Sequence, residues 1–109
     1  MPIPKRGDLI KLDFDNTLGH EQTGFRRALV LSPSSYNKIV GLAIVCSITN
    51  QKKGYPFEVD IPQGLKVTGV VLSDQIRTVD WRIRKIQIVD HAPLECVNQV
   101  QENLLKLIL

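Results

Sequence analysis

Polar and apolar positions alternate through Asp8-Leu9-Ile10-Lys11-Leu12-Asp13-Phe14, which predicts a half-buried strand over 8–14. Ala28-Leu29-Val30-Leu31 and Leu42-Ala43-Ile44-Val45-Cys46-Ser47-Ile48 are short, nearly continuous apolar runs, as expected of strands buried on both faces. Strand character also marks 55–61, 69–72 and 84–89, with Pro56 confining the first of these to an edge or to its opening residues. Between the early strands, residues 15–24 form a long polar loop with Gly19 and Gly24 as its flexible points. Loops of that length in compact domains are often functional. Residues 32–37 carry turn chemistry compatible with one helical turn, and 49–54 form a polar, basic loop.

The C-terminal segment has a different period. Pro93 suits a first helical turn, and Leu94, Val97, Val100, Leu104, Leu105 and Ile108 recur at helical spacing. Short strands joined by loops, then one amphipathic helix, predict a mainly β fold: a small antiparallel barrel with an α appendage. At 109 residues the chain is expected to be one domain, 1–109, with a single core. No repeat, linker or low-complexity stretch interrupts it.

Composition narrows the class. Apolar residues make up 43% and charged residues 23%, with no run long enough to span a membrane. The N-terminal residues lack the pattern of a secretory signal, so a cytoplasmic protein is the default expectation. Cys46 and Cys96 lie fifty residues apart, outside any CxxC pair, and only His20 and His91 could join them on zinc. Both thiols are therefore read as small core side chains, and no metal or other cofactor is expected. The net charge of +3 is modest, but Arg26-Arg27, Lys52-Lys53 and the run Arg77, Arg82, Arg84, Lys85 are clusters that could attract phosphates or simply solvate a face.

Four motifs then recur in one order. They are Gly7-Asp8-Leu9-Ile10 leading to Asp13-Phe14-Asp15; 19–33, Gly-His-Glu-Gln-Thr-Gly-Phe-Arg-Arg-Ala-Leu-Val-Leu-Ser-Pro; Ile48-Thr49 followed by Lys53-Gly54-Tyr55-Pro56-Phe57-Glu58-Val59; and 69–77, Gly-Val-Val-Leu-Ser-Asp-Gln-Ile-Arg, continued by Trp81-Arg82. Together they resemble the MazF family of toxins, which includes the plasmid PemK and Kid proteins. The resemblance implies an SH3-like barrel, a homodimer, and RNA bound across or beside the dimer interface. It implies metal-independent, sequence-selective cleavage of single-stranded RNA, chiefly mRNA, to 2′,3′-cyclic phosphate and 5′-hydroxyl ends, which inhibits translation. It also implies a cognate antitoxin whose extended acidic segment occupies the RNA site. The chain departs from the family pattern where Arg27 and Ser47 replace prolines. The first bears on target preference, the second on the geometry of the loop carrying Thr49.

The chemistry can be set out on the residues themselves. In RNA cleavage without a metal, the ribose 2′-hydroxyl attacks the adjacent phosphate, which requires a base, donors for the developing charge, and an acid. Arg26 is the candidate donor, because a guanidinium is permanently charged and can hold two phosphate oxygens at once. Thr49 matches the family threonine and could donate to the same phosphate, although threonines at strand ends often bond their own backbone. Glu21 and His20 compete for the base: a carboxylate needs a raised pKa, whereas imidazole already titrates near neutrality. Phe25, Arg27, Gln51, Lys52, Lys53, Asp74, Gln75 and Arg77 are the expected RNA-binding residues. Of these, Phe25 is the candidate for stacking on a base, Asp74 could equally cap a turn, and Arg27 could instead meet the dimer partner. Tyr36, Tyr55, Phe57 and Trp81 are expected mainly in the core, and His91 outside the catalysis.

Two other classes share parts of this pattern. A toxin of the same barrel that binds DNA gyrase, as CcdB does, would act through the terminal helix without a catalytic constellation. A non-catalytic SH3-like adaptor would show an aromatic peptide groove, where this chain has charged loops.

Overall fold

A computed structural model describes residues 2–13 and 25–109. The described elements are β1 (Asp8–Asp13), β2 (Phe25–Val30), α1 (Ser34–Val40), β3 (Ala43–Thr49), β4 (Glu58–Asp60), β5 (Val70–Val79), β6 (Gln87–His91) and α2 (Leu94–Ile108). All strands pair antiparallel in one sheet of order β4-β5-β3-β2-β1-β6, curled into a half-barrel.

The doubly buried strands have a simple cause: the sheet carries an apolar cluster on each face. On one side Leu9, Leu29, Cys46, Ile48, Val59 and Val71 pack against Cys96, Val97 and Val100 of α2. On the other, Ile10, Leu12, Ala28, Val30, Ala43 and Val45 pack with Val79, Trp81 and Ile86. Strand residues of odd and even number therefore both enter core, and the runs in β2 and β3 read as continuous. Each fully buried aliphatic side chain contributes about 1.5–3 kcal/mol of transfer free energy.

Several expected boundaries move. β2 begins at Phe25, because the backbone of 25–27 pairs with β1 through Asp13, Leu12 and Lys11. The turn over 32–37 becomes a two-turn helix ending at Gly41, whose φ of 79° suits glycine and whose N–H donates to the Asn37 carbonyl. Thr49 belongs to β3 rather than to the loop. The strand expected over 55–61 shrinks to three residues. Glu58 N–H turns back to the Tyr55 carbonyl, and the Glu58 carboxylate accepts the N–H groups of Lys53 and Gly54 at 2.9–3.3 Å.

β5 runs to Val79, well past the expected 72. Its polar second half is paired to β3 on one edge but largely exposed, so its composition resembles a loop. The strand expected over 84–89 starts later, at Gln87. Asp80 accepts the N–H groups of Arg82 and Ile83 at 3.1 Å, and the left-handed Lys85 (φ 52°) ends the turn so made. A buried Asn37 ties these parts together. Its amide donates to the carbonyls of Pro4 and Ser32, its Oδ1 accepts the Ser32 hydroxyl, and its backbone carbonyl accepts the Trp81 indole N–H.

Candidate active site

The β2–β3 register pairs Val30 with Val45, Leu29 with Cys46 and Ala28 with Ser47. Carried two residues further, it sets Arg26 across from Thr49. Side chains alternate along a strand, so Arg26 shares a face with Ala28 and Val30, while Thr49 shares one with Val45 and Ser47. Both sequences mark the same side, that of the Trp81 cluster. Arg26 is exposed at the sheet's end, and Thr49 is half-buried there. By this register and alternation, Arg26 and Thr49 belong to one face of neighbouring strands.

The Thr49 hydroxyl accepts the N–H of Gln51 at 3.1 Å. This is the local bond that strand-end threonines often make, and it leaves the hydroxyl hydrogen to donate elsewhere. The loop beyond carries Gln51, Lys52 and Lys53, all exposed. Lys52 meets Asp60 at 2.9 Å, and this hydrogen bond and charge hold its ammonium above the usual lysine range. The positive charge of Lys52 is thereby partly compensated.

Asp74 and Gln75 lie where β5 departs from β3. Cys46 pairs with Ile76, but Ile48, two residues on, already pairs with Val71, so the chain between bows away and exposes both polar residues. The Cys46 thiol is pushed up to about 12, first by burial and then by the Asp74 charge. Both cysteines are buried and unpaired, as read from the sequence. Arg77 follows on β5, opposite Val45, and is exposed.

Phe25 opens β2 opposite Asp13. His20 and Glu21 lie outside the described residues. Trp81 is core, with Arg82 over its ring at 4.8 Å. Tyr36 is half-buried, whereas Tyr55 is 52% exposed and stacks on Phe57 with centroids 5.2 Å apart. His91 sits by Asp8, at the opposite end of β1 from the residue paired with Arg26, with 3.1 Å between Nδ1 and Oδ1.

Three residues beside Thr49, namely Asn50, Thr68 and Gly69, are not singled out as site residues by the sequence. Arg27 Nη1 donates to the Thr68 carbonyl at 2.6 Å, and the Thr68 hydroxyl donates to Asn50 Oδ1 at 3.1 Å. Gly69 has φ 113°, and a Cβ there would collide with the Thr49 carbonyl oxygen and come within 2.6 Å of Asn50 Oδ1. The only trace of this in the sequence is the Thr68-Gly69 pair ahead of a strand, a signal shared by many turns.

This curled sheet, closed on one face by a C-terminal helix, defines a small SH3-like half-barrel. The chain belongs to the family of PemK-like, MazF-like toxins of type II toxin–antitoxin systems, whose model matches residues 5–108. It is 49% identical to the endoribonuclease toxin MazF of Escherichia coli K12 over 82 residues, covering 75% of this chain and 73% of that protein. It is 36% identical to the endoribonuclease EndoA of Bacillus subtilis over 107 residues, covering 94% and 91%. A solved MazE–MazF structure from Deinococcus radiodurans superimposes with a TM-score of 0.95 at 44% identity, covering 99% of this chain and 97% of that one.

Proposed function

We propose that this chain is the endoribonuclease toxin of a toxin–antitoxin pair, cutting single-stranded RNA by attack of a ribose 2′-hydroxyl on its own phosphate. The observation that carries the reading is the β2–β3 register, which, extended two residues beyond the Ala28–Ser47 pair, sets Arg26 and Thr49 on one face of adjacent strands. An extended phosphodiester laid across the strand ends would meet a bidentate cation and a hydroxyl donor together. Charge developing on the non-bridging oxygens is then met by donors already in place, the arrangement in which electrostatic catalysis is strongest. Arg26 stays charged throughout and serves as donor, not acid. The base is drawn from His20 and Glu21. Gln51, Lys53, Asp74, Gln75 and Arg77 border the same strands and are assigned to RNA binding, with Lys52 as a partly neutralised member. DNA lacks the attacking 2′-hydroxyl and would be spared.

The family relationship and the MazE-bound relative support a cognate antitoxin as partner, whose acidic segment would compete with RNA for this cationic rim. A homodimer is part of the same proposal. The gyrase-binding alternative has less support, since relatives 49% and 36% identical to this chain are named endoribonucleases.

The decisive experiment is to incubate purified protein with a long mixed-sequence RNA in EDTA and map the ends. Discrete cuts bearing 2′,3′-cyclic phosphate and 5′-hydroxyl are expected. Arg26→Ala should lower the rate by roughly two to three orders of magnitude, as loss of a charge-stabilising donor does. RNA left intact, or Arg26→Ala cutting at the wild-type rate, would refute the reading.

A further inference from the structure

We infer that Arg27 is a positioning residue for the cleavage site: it braces the segment before β5 against the Thr49 loop rather than holding RNA. The inference rests on the reading of Thr49 as part of that site.

Arg26 and Arg27 are adjacent in sequence, yet strand alternation sends them to opposite faces. Arg27 has the parity of Leu29 and Leu31, which lie in the cluster beneath α2. Its Nη1 donates to the Thr68 carbonyl at 2.6 Å, across 41 residues of chain. A charged donor makes this a strong hydrogen bond.

From Thr68 the restraint continues to the site. The Thr68 hydroxyl donates to Asn50 Oδ1, and Asn50 directly follows Thr49. Gly69, left-handed and without a Cβ, lets the same segment press directly on the Thr49 carbonyl and the Asn50 side chain. The segment is fixed at other points as well. Lys66 N–H donates to the Asp90 carboxylate at 2.8 Å, the Gly69 carbonyl accepts the Ile61 N–H at 3.0 Å, and Val70 pairs with Thr49. Between these anchors, Thr68 is reached by Arg27 from one side and joined to Asn50 on the other. One side chain on β2 therefore helps hold the backbone that aims the Thr49 hydroxyl, whose Gln51 bond lies within the same turn.

A brace and an RNA contact predict different kinetics. Loss of a positioning contact near the reacting atoms lowers turnover, since displacements of about 1 Å can cost up to roughly a hundredfold. Loss of a phosphate contact weakens binding and reduces the log–log salt slope by about one.

The test measures kcat, KM and the salt slope for Arg27→Ala, Arg27→Lys, Thr68→Val and the Arg27→Ala/Thr68→Val pair, with Trp81 fluorescence checking the fold. Arg27→Ala is expected to lower kcat about ten- to a hundredfold while KM and the salt slope hold. Arg27→Lys, which keeps a cationic donor, should recover part of the loss. Thr68→Val, which keeps the carbonyl and loses the hydroxyl, should lower kcat in the same sense, and the double variant should fall short of the product of the single effects. Unchanged kcat in Arg27→Ala, or a salt slope reduced by about one, overturns the brace; so does full additivity. Thr49→Val separates the two layers. If it cleaves like wild type, the site reading itself fails; if it is inactive while Arg27→Ala turns over normally, only the brace fails.

Discussion

The Trp81 indole donates to the Asn37 backbone carbonyl at 3.0 Å, and the same oxygen accepts the Gly41 N–H at 3.0 Å. One residue of α1 thus joins the N-terminal segment, the helix end and the turn after β5. Asn37→Ala would remove the amide donor from the Pro4 and Ser32 carbonyls and the acceptor of the Ser32 hydroxyl hydrogen, although the Ser32 oxygen still accepts the Ile44 N–H. A loss of roughly 2–4 kcal/mol is expected, read as a lower urea midpoint at unchanged slope. Asn37→Asp keeps the shape but loses both amide donors, so it should be no milder.

Gly69→Ala combines a left-handed backbone with a collision against the Thr49 carbonyl. The expected cost is about 1–3 kcal/mol, from strain of a kind only glycine avoids. Because the displaced atoms adjoin Thr49, RNA turnover should fall along with the denaturation midpoint. Alanine at wild-type stability and turnover would show that the segment does not press on β3.

Ser73 is fully buried, and among the described residues its Oγ has no hydrogen-bond partner. Removing a buried, unpaired hydroxyl relieves its desolvation cost, so Ser73→Ala should match wild-type stability or exceed it by up to about 1 kcal/mol. Thermal unfolding of the two proteins side by side checks this.

Burial and the Asp74 charge raise the Cys46 thiol to about 12, and burial also raises Cys96. Because the fold favours the neutral Cys46 thiol, its contribution to stability is complete below the ordinary thiol pKa, about 8.5–9, and is lost as pH rises toward 12. At pH 8 neither cysteine should react appreciably with iodoacetamide in the native protein, whereas both should label in denaturant. Intact-mass measurement distinguishes the outcomes.

Cleavage at subsaturating RNA should weaken steeply with salt, because cationic side chains that meet phosphates release counterions. A rate that ignores ionic strength between about 50 and 200 mM would remove the basic rim from the binding surface.

Local sequence carried a good deal of this. The double-sided burial of β2 and β3 was legible because a strand packed on both faces needs apolar residues at every position. The helix α2 was legible because only one stripe of it meets the sheet. The motifs named Arg26 and Thr49, but nothing in their spacing says that they face the same way. That follows from β2 and β3 pairing with Ala28 against Ser47, a register set by how two apolar runs fit into two cores. The second half of β5 was hidden because its strand geometry comes from hydrogen bonds to β3, not from a buried face. Arg27 was hidden for a related reason. Beside Arg26 it reads as one basic patch, and only the alternation of an actual strand, with Thr68 brought 41 residues back to meet it, assigns the two arginines to opposite faces of the sheet.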